Sequence, residues 1–231
     1  MCHVHSSPPF NAPAARRLRA ALGMAPGHVA YGLGAQYGLT VSPEEVMAWE
    51  RGDASPTATE LTALAGVLWC SPGELLAEPT TLREHRIARG MSAEDLARRT
   101  GLDAGAYLKM EESGRWKGNE RQSAALAQAL GLSLPAFVTA TGKEEELAEH
   151  LRNAVTTRWQ AYVRPLAKLL PVPKQHLEAV LVQLYDEYQS TMVATLSWGG
   201  GGGQAANGDA GRTFLAQIVD RFWELARLTG R

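Results

Sequence analysis

The 231-residue chain has little cysteine: Cys2 and Cys70 are its only two. They lie far apart in the sequence. Cys70 follows Trp69 in an apolar run and reads as a buried thiol. Long hydrophobic runs are missing too. No stretch approaches the roughly 18 unbroken apolar residues of a membrane span. The opening MCHVHSSPPFNAPAARR has no cationic segment leading into an apolar one, so no secretory signal is expected and the expected location is cytoplasmic. There is no cationic surplus either: 23 Lys+Arg stand against 24 Asp+Glu, with a pI near 6.6. This excludes a strong non-specific nucleic-acid binder, whose affinity comes from many Lys/Arg contacts to phosphate.

The elements of a catalytic or metal site are also lacking. His28, His85, His150 and His176 are scattered over helical stretches, and nothing assembles a nucleophile, a base and an oxyanion site. Cys2, His3 and His5 lack a fourth ligand and a scaffold, so no metal site is expected there. Gly199 to Gly203 lack the preceding strand and the terminal Gly-Lys-Ser/Thr of a phosphate loop, and read as a flexible linker. No enzyme activity and no cofactor are expected.

What remains is a composition suited to a folded protein, 45% hydrophobic and 20% charged, with dense helix signals. Residues 1–13, rich in Ser and Pro, read as a disordered arm. Ala14 to Leu22 is helical and ends at Gly23. Pro26 opens a helix running to Tyr37. Ser42-Pro43-Glu44-Glu45 is a capping box, with Ser42 as cap and Glu45 closing it. That helix stops at Gly52. Thr57 to Leu68 and Ser71 to Leu76 follow. Thr81 to Val138 reads as five short helices. Ser92 opens one, Gly101-Leu102 breaks it, and Asp103 caps the next. A helix, a tight glycine turn and a second helix make a helix-turn-helix.

The two stretches share their order of elements, so the chain reads as an internal repeat. Arg16 and Arg19 align with Arg83 and Arg86, Gly23-Met24 with Gly90-Met91, and Trp49-Glu50 with Met110-Glu111. Further on, Leu68 aligns with Leu130 and Ser71 with Ser133. The offset falls from 67 to about 61, which puts about six extra residues in the first copy near Gly34–Thr40. An insertion there lengthens the turn before the recognition helix. Charge differs between the segments. Residues 1–80 hold 4 Lys+Arg against 7 Asp+Glu, residues 81–142 hold 9 against 7, and residues 143–231 hold 10 of each.

Both copies resemble the Xre/lambda-repressor type of helix-turn-helix domain. The resemblance rests on Leu82-Arg83, Arg89-Gly90, Ser92-Ala93-Glu94-Asp95-Leu96-Ala97, Gly101-Leu102-Asp103, Met110-Glu111 and Leu126-Ala127-Gln128-Ala129-Leu130-Gly131-Leu132. In the first copy it rests on Val46-Met47-Ala48-Trp49-Glu50-Arg51-Gly52. The tandem, rich in Ala, Arg and Gly, is similar to regulators of high-GC, actinobacterial-like bacteria. The resemblance implies two five-helix domains at 14–78 and 80–140; with a helical region read from apolar spacing at 143–231, and a Gly-rich linker at 199–211, the expected fold is all-α. It implies a DNA-binding transcription regulator with double-stranded DNA as partner.

Carried onto this sequence, the DNA-facing positions are Ser92, Arg98, Arg99, Asp103, Ala104, Gly105, Lys109, Arg115 and Lys117 in the second copy. In the first they are Arg16, Arg19, Ser42, Pro43, Glu44 and Met47. Arg83, Arg86 and Arg89 are further cations able to approach phosphate. Trp116 reads as an exposed loop side chain, and Glu94–Arg98 and Asp95–Arg99 as helix-surface pairs.

In the last third, Leu147, Leu151, Val155, Trp159, Tyr162, Leu166 and Leu169 mark one long amphipathic helix kinked at Pro165. Leu177 to Met192 and Phe214 to Leu225 mark two more. Val180, Tyr185, Val193 and Trp223 widen the apolar surface, as extra core, a homodimer interface or a ligand pocket. The expectation is a homodimer through these helices, with room for a protein partner or small effector. The alternative is a protein-interaction adaptor that keeps the fold without reading DNA.

Overall fold

A computed structural model describes residues 8–197 and 204–228. Cys2, His3, His5 and Gly199 to Gly203 lie outside the described residues. The chain divides into two compact units, Met1–Gly114 and Arg115–Arg231. Among the described residues no single helix is long and apolar enough to cross a membrane.

The first unit holds α1 (Ala12–Ala21), α2 (Pro26–Tyr37), α3 (Pro43–Arg51), α4 (Ala58–Val67), a 3-10 turn (Pro72–Leu75), α5 (Leu82–Ala88), α6 (Ala93–Thr100) and α7 (Ala104–Ser113). The starts of α1 and of α3 to α7 are side-chain capped. The Ser42 hydroxyl accepts from the Glu45 N–H at 3.2 Å, and the Glu45 carboxylate accepts from the Ser42 N–H at 2.8 Å. Thr57 and Glu60, and Thr81 and Glu84, repeat this reciprocal arrangement. Val29, Leu33, Val46, Trp49, Leu61, Leu64 and Leu75 form the core of the first helices, and Ile87 of α5 joins it. Gly73 in the 3-10 turn backs onto the Ala88 carbonyl, where a Cβ would come to 3.1 Å. A residue with a side chain there would push α5 outward.

The arm is only partly an arm. Pro8 is buried and Phe10 packs on the core. Phe10 bridges to Leu76, and the Asn11 N–H donates to the Leu75 carbonyl at 2.8 Å. Residues 8–13 are held because Phe10 has a core to enter and the backbone finds partners at 75–77.

The extra residues expected near Gly34–Thr40 lie mostly in a helix. α2 has 12 residues against 8 in α6, about one helical turn more. That turn ends in Tyr37, whose hydroxyl lies against Gly66 of α4.

The second unit holds α8 (Glu120–Leu130), α9 (Leu134–Thr141), α10 (Glu144–Thr156), a 3-10 turn (Trp159–Tyr162), α11 (Val163–Leu169), α12 (Lys174–Ser197), α13 (Gln204–Ala216) and α14 (Ile218–Leu228). The expected long kinked helix is two helices. It breaks after Thr156, where the Thr156 and Thr157 hydroxyls donate to the Arg152 and Asn153 carbonyls at 2.8 and 2.6 Å. Pro165 instead sits in the first turn of α11, where its missing N–H leaves no helical bond unmade. Residues 204–211 of the expected linker belong to α13, and a turn at Gln217 separates α13 from α14. Leu147, Leu151, Leu166, Leu181, Leu184, Ile218 and Phe222 are buried in this unit's core. Lys143 is buried with them. Its Nζ donates to the Leu169 carbonyl at 3.3 Å, and burial pushes its pKa down against the pull of Glu146.

Trp116 is not an exposed loop residue. It is 5% exposed, its N–H donates to the Thr141 carbonyl at 3.2 Å, and its indole N–H donates to Ser123 Oγ at 2.8 Å. The indole is apolar enough to be buried and has a hydroxyl within reach for its one donor.

Candidate nucleic-acid interface

The helix-turn-helix is built by α6, the turn at 101–103 and α7. Ser92 starts α6: its hydroxyl accepts from the Asp95 N–H at 3.1 Å and donates to the Asp95 carboxylate at 3.0 Å. Leu96, Ala97 and Thr100 turn inward and are buried. The Thr100 hydroxyl donates back to the Leu96 and Ala97 carbonyls at 2.9 and 3.0 Å, which makes a polar residue tolerable there. Gly101 takes φ +68, the left-handed backbone that ends a helix and that glycine adopts without strain. The Leu102 N–H then closes on the Ala97 carbonyl at 2.9 Å. Asp103 begins α7 by accepting from the Ala106 N–H at 3.0 Å.

What fixes α7 in place is an ion pair that sequence reasoning placed elsewhere. Arg86 of α5 donates from Nε and Nη2 to the two Glu111 oxygens at 2.8 and 2.6 Å, and from Nη1 to the Met91 carbonyl at 3.0 Å. The Tyr107 hydroxyl donates to Glu111 Oε2 at 2.6 Å. Side-chain exposure is 13% for Arg86 and 5% for Glu111. Burial works to lower the Arg86 pKa, but the Glu111 bonds outweigh it and the pKa is raised. Burial, with help from Glu111, pushes the Tyr107 phenol up, so it stays a donor. This two-pronged clamp ties the first helix of the domain to the recognition helix. Arg86 is therefore withdrawn from the phosphate-facing set.

Arg19 is withdrawn for the same reason. It donates to both Glu50 oxygens and, from Nη1, to the Met24 carbonyl at 2.6 Å. Its side chain is 15% exposed and its pKa is raised, first by the bond to Glu50. The partners match those of Arg86 position for position, Met24 for Met91 and Glu50 for Glu111.

With Tyr107 turned in, α7 shows solvent a face of Gly105, Leu108, Lys109 and Glu112, spaced as one helical stripe. Ala104 is half-buried beside it. Lys109 is the one long-reach donor on this stripe, and the Asp103 carboxylate is already committed to the cap. On α6, Arg98 and Arg99 are exposed beside Glu94 and Asp95. The surface pair is Asp95–Arg98 at 2.9 Å, not the i,i+4 pairs expected. The Ser92 hydroxyl, then Arg98, hold the Asp95 carboxyl below its ordinary range. Arg115 and Lys117 are exposed on the second unit.

Among residues 14–78, Arg16, Pro43, Glu44 and Met47 are exposed, and the Ser42 hydroxyl is committed to its cap. Base-reading donors of the Arg, Lys, Asn or Gln type are absent from these α3 positions.

No curated protein and no solved structure matches the chain. Residues 80–137 match the family model described as a helix-turn-helix domain, and this stretch is a helix-turn-helix domain.

Proposed function

We propose that the chain is a DNA-binding transcription regulator that holds duplex DNA through its domain at 80–137, with phosphate grip exceeding base reading. The observation that carries this is the family match falling on a stretch where α6, a glycine turn and α7 are locked together and α7 keeps an outward face. In such domains the second helix enters the major groove. Here that helix offers Lys109 for hydrogen bonding and Ala104 and Leu108 for thymine methyl contact. Arg98, Arg99, Lys109, Arg115 and Lys117, all within the matched stretch, supply phosphate contacts. Ser92, Asp103 and Gly105 shape the turn and the helix start. The small number of cations accords with the near-neutral net charge.

Residues 14–78 are a second, degenerate copy of the same domain. The Arg19–Glu50 and Arg86–Glu111 clamps, each with a carbonyl bond to a methionine at the same spacing, support that reading. The helices after residue 143 form a homodimer. Val193, 62% exposed on α12, supports this, and a dimer would demand a two-fold related pair of half-sites. Exposed Arg16 then serves as a phosphate contact of the first copy, while Ser42, Pro43, Glu44 and Met47 contribute little to DNA affinity.

The test is an electrophoretic shift on fragments of the source genome with excess competitor DNA. A competitor-resistant complex that weakens in Lys109→Ala and Arg115→Ala is expected. No shift at low salt would sink the proposal. Sedimentation equilibrium tests the dimer, which must dissociate when the chain is cut back to residues 8–142.

A further inference from the structure

We propose that the first unit docks a cationic protein segment, one presenting arginine or lysine beside apolar residues, on the surface that carries Trp69 and Tyr37. This is independent of DNA binding by residues 80–137.

The argument starts from backbone conformation. Trp69 is the only non-glycine residue with positive φ, at +54, among the described residues. It follows α4 where Gly131 follows α8. The hydrogen bonds coincide: the Trp69 and Cys70 N–H groups donate to the Gly66 and Ala65 carbonyls at 3.2 and 3.0 Å. Those of Gly131 and Leu132 donate to Gln128 and Ala127 at 3.3 and 2.9 Å. Gly131 has φ +61. One helix-ending geometry is thus closed by glycine in one place and by the bulkiest side chain in the other. A large side chain in the left-handed region is strained. The strain is not offset by packing, because Trp69 is 90% exposed. The indole has no part in holding the fold, which leaves recognition as its use.

Its surroundings select the partner. Three residues before Trp69 on α4 is Gly66, against which the Tyr37 hydroxyl rests, and Tyr37 is itself 45% exposed. The Glu74 carboxylate is fixed four residues beyond Cys70 in the 3-10 turn, accepting from the Ser71 N–H and hydroxyl at 2.8 and 2.9 Å, within electrostatic reach of the Cys70 thiol. Between Arg19 and Arg83 the sole Lys or Arg is Arg51, which is paired to Asp53 at 2.6 Å. Across the same span stand Glu44, Glu45, Glu60, Glu74 and Glu78, besides Glu50 and Asp53, whose charges are offset by Arg19 and Arg51. Exposed aromatic faces in an anionic field repel phosphate and attract guanidinium and ammonium groups, which stack on indole and phenol rings. Aromatic and Arg side chains are also the usual anchors of protein interfaces.

The experiment is selection of a random peptide library on the full chain, followed by affinity measurement on wild type and Trp69→Gly. The proposal expects selected peptides rich in Arg or Lys, with affinity about tenfold weaker for the variant. The variant should melt at or above wild type, because glycine removes the backbone strain, and should bind duplex DNA unchanged. Trp69→Asn, which tolerates the left-handed backbone, serves if the glycine variant folds poorly. Acidic or neutral selected peptides, no selected peptides, or unchanged affinity in both variants would overturn the proposal. So would a wild-type dimer that the variant splits, which assigns the surface to a second copy, or DNA binding lost with Trp69.

Discussion

Replacing Glu111 with leucine removes one half of the clamp that holds α7. The Arg86 guanidinium, 13% exposed, then loses both carboxylate oxygens and keeps only the Met91 carbonyl. Two unit charges about 4 Å apart in a medium of effective dielectric about 20 attract by about 4 kcal/mol. Removing one partner of a buried pair costs about 3–5 kcal/mol, because the other charge stays buried and uncompensated. The Tyr107 hydroxyl loses its acceptor as well, adding about 1 kcal/mol. A domain of about 100 residues loses roughly 4 °C of Tm per kcal/mol, so the first unit should melt at least 12 °C lower, as followed by circular dichroism on the full chain. Arg86→Met alone should cost a similar amount. The double variant should cost clearly less than the two singles together, since it removes both charges at once. Singles that each cost under 1 kcal/mol, or that add up in the double variant, would refute the reasoning that this pair is a buried clamp.

Other outcomes follow from single groups. Tyr107→Phe removes one hydrogen bond to Glu111 while Arg86 still holds it, so the loss should be about 1 kcal/mol by urea titration, far below that of Glu111→Leu. Ser123→Ala strips the buried Trp116 indole N–H of its acceptor and should cost about 1–3 kcal/mol, with Ser123→Thr milder. His85 on half-buried α5 has its pKa lowered, first by burial and also by Arg89, against Glu84. The unfolded chain therefore takes up this proton at higher pH than the folded one. Stability should fall as pH drops through about 6.5 and level off once the folded group also protonates. Thermal melts from pH 7.5 to 5 should show this, and His85→Gln should flatten that part of the profile.

Local chemistry is where the sequence was most informative. Ser42 with Glu45, Ser92 with Asp95, and Asp103 with the Ala106 N–H are contacts within a few residues, so the side chain types alone declare them. The helix-turn-helix at 92–113 followed from these and from Gly101. What could not be read were choices that depend on distant partners. Arg86 is as suited to phosphate as to Glu111, and only the fold brings α5 and α7 together. Trp116, flanked by two cations, becomes core because Ser123 and the Thr141 carbonyl meet its two N–H groups. The end of α10 at Thr156 was hidden because its apolar spacing runs on unbroken, and Pro165 drew attention to the wrong place. For the site, the pairing of Arg19 with Glu50 was hidden for the same reason, since the partners stand 31 residues apart and only the fold joins them.

The most direct test of the central claim, that residues 80–137 hold DNA through a small set of phosphate contacts, is the salt dependence of duplex binding by fluorescence anisotropy. With Arg98, Arg99, Lys109, Arg115 and Lys117 as the gripping cations, the slope of log Kobs against log salt should be about −4 to −5 per bound chain. Lys109→Ala should reduce its magnitude by about 1 while weakening all sequences nearly alike. An absence of binding at low salt, or a slope that the Lys109 and Arg99 alanine variants leave unchanged, would contradict the account.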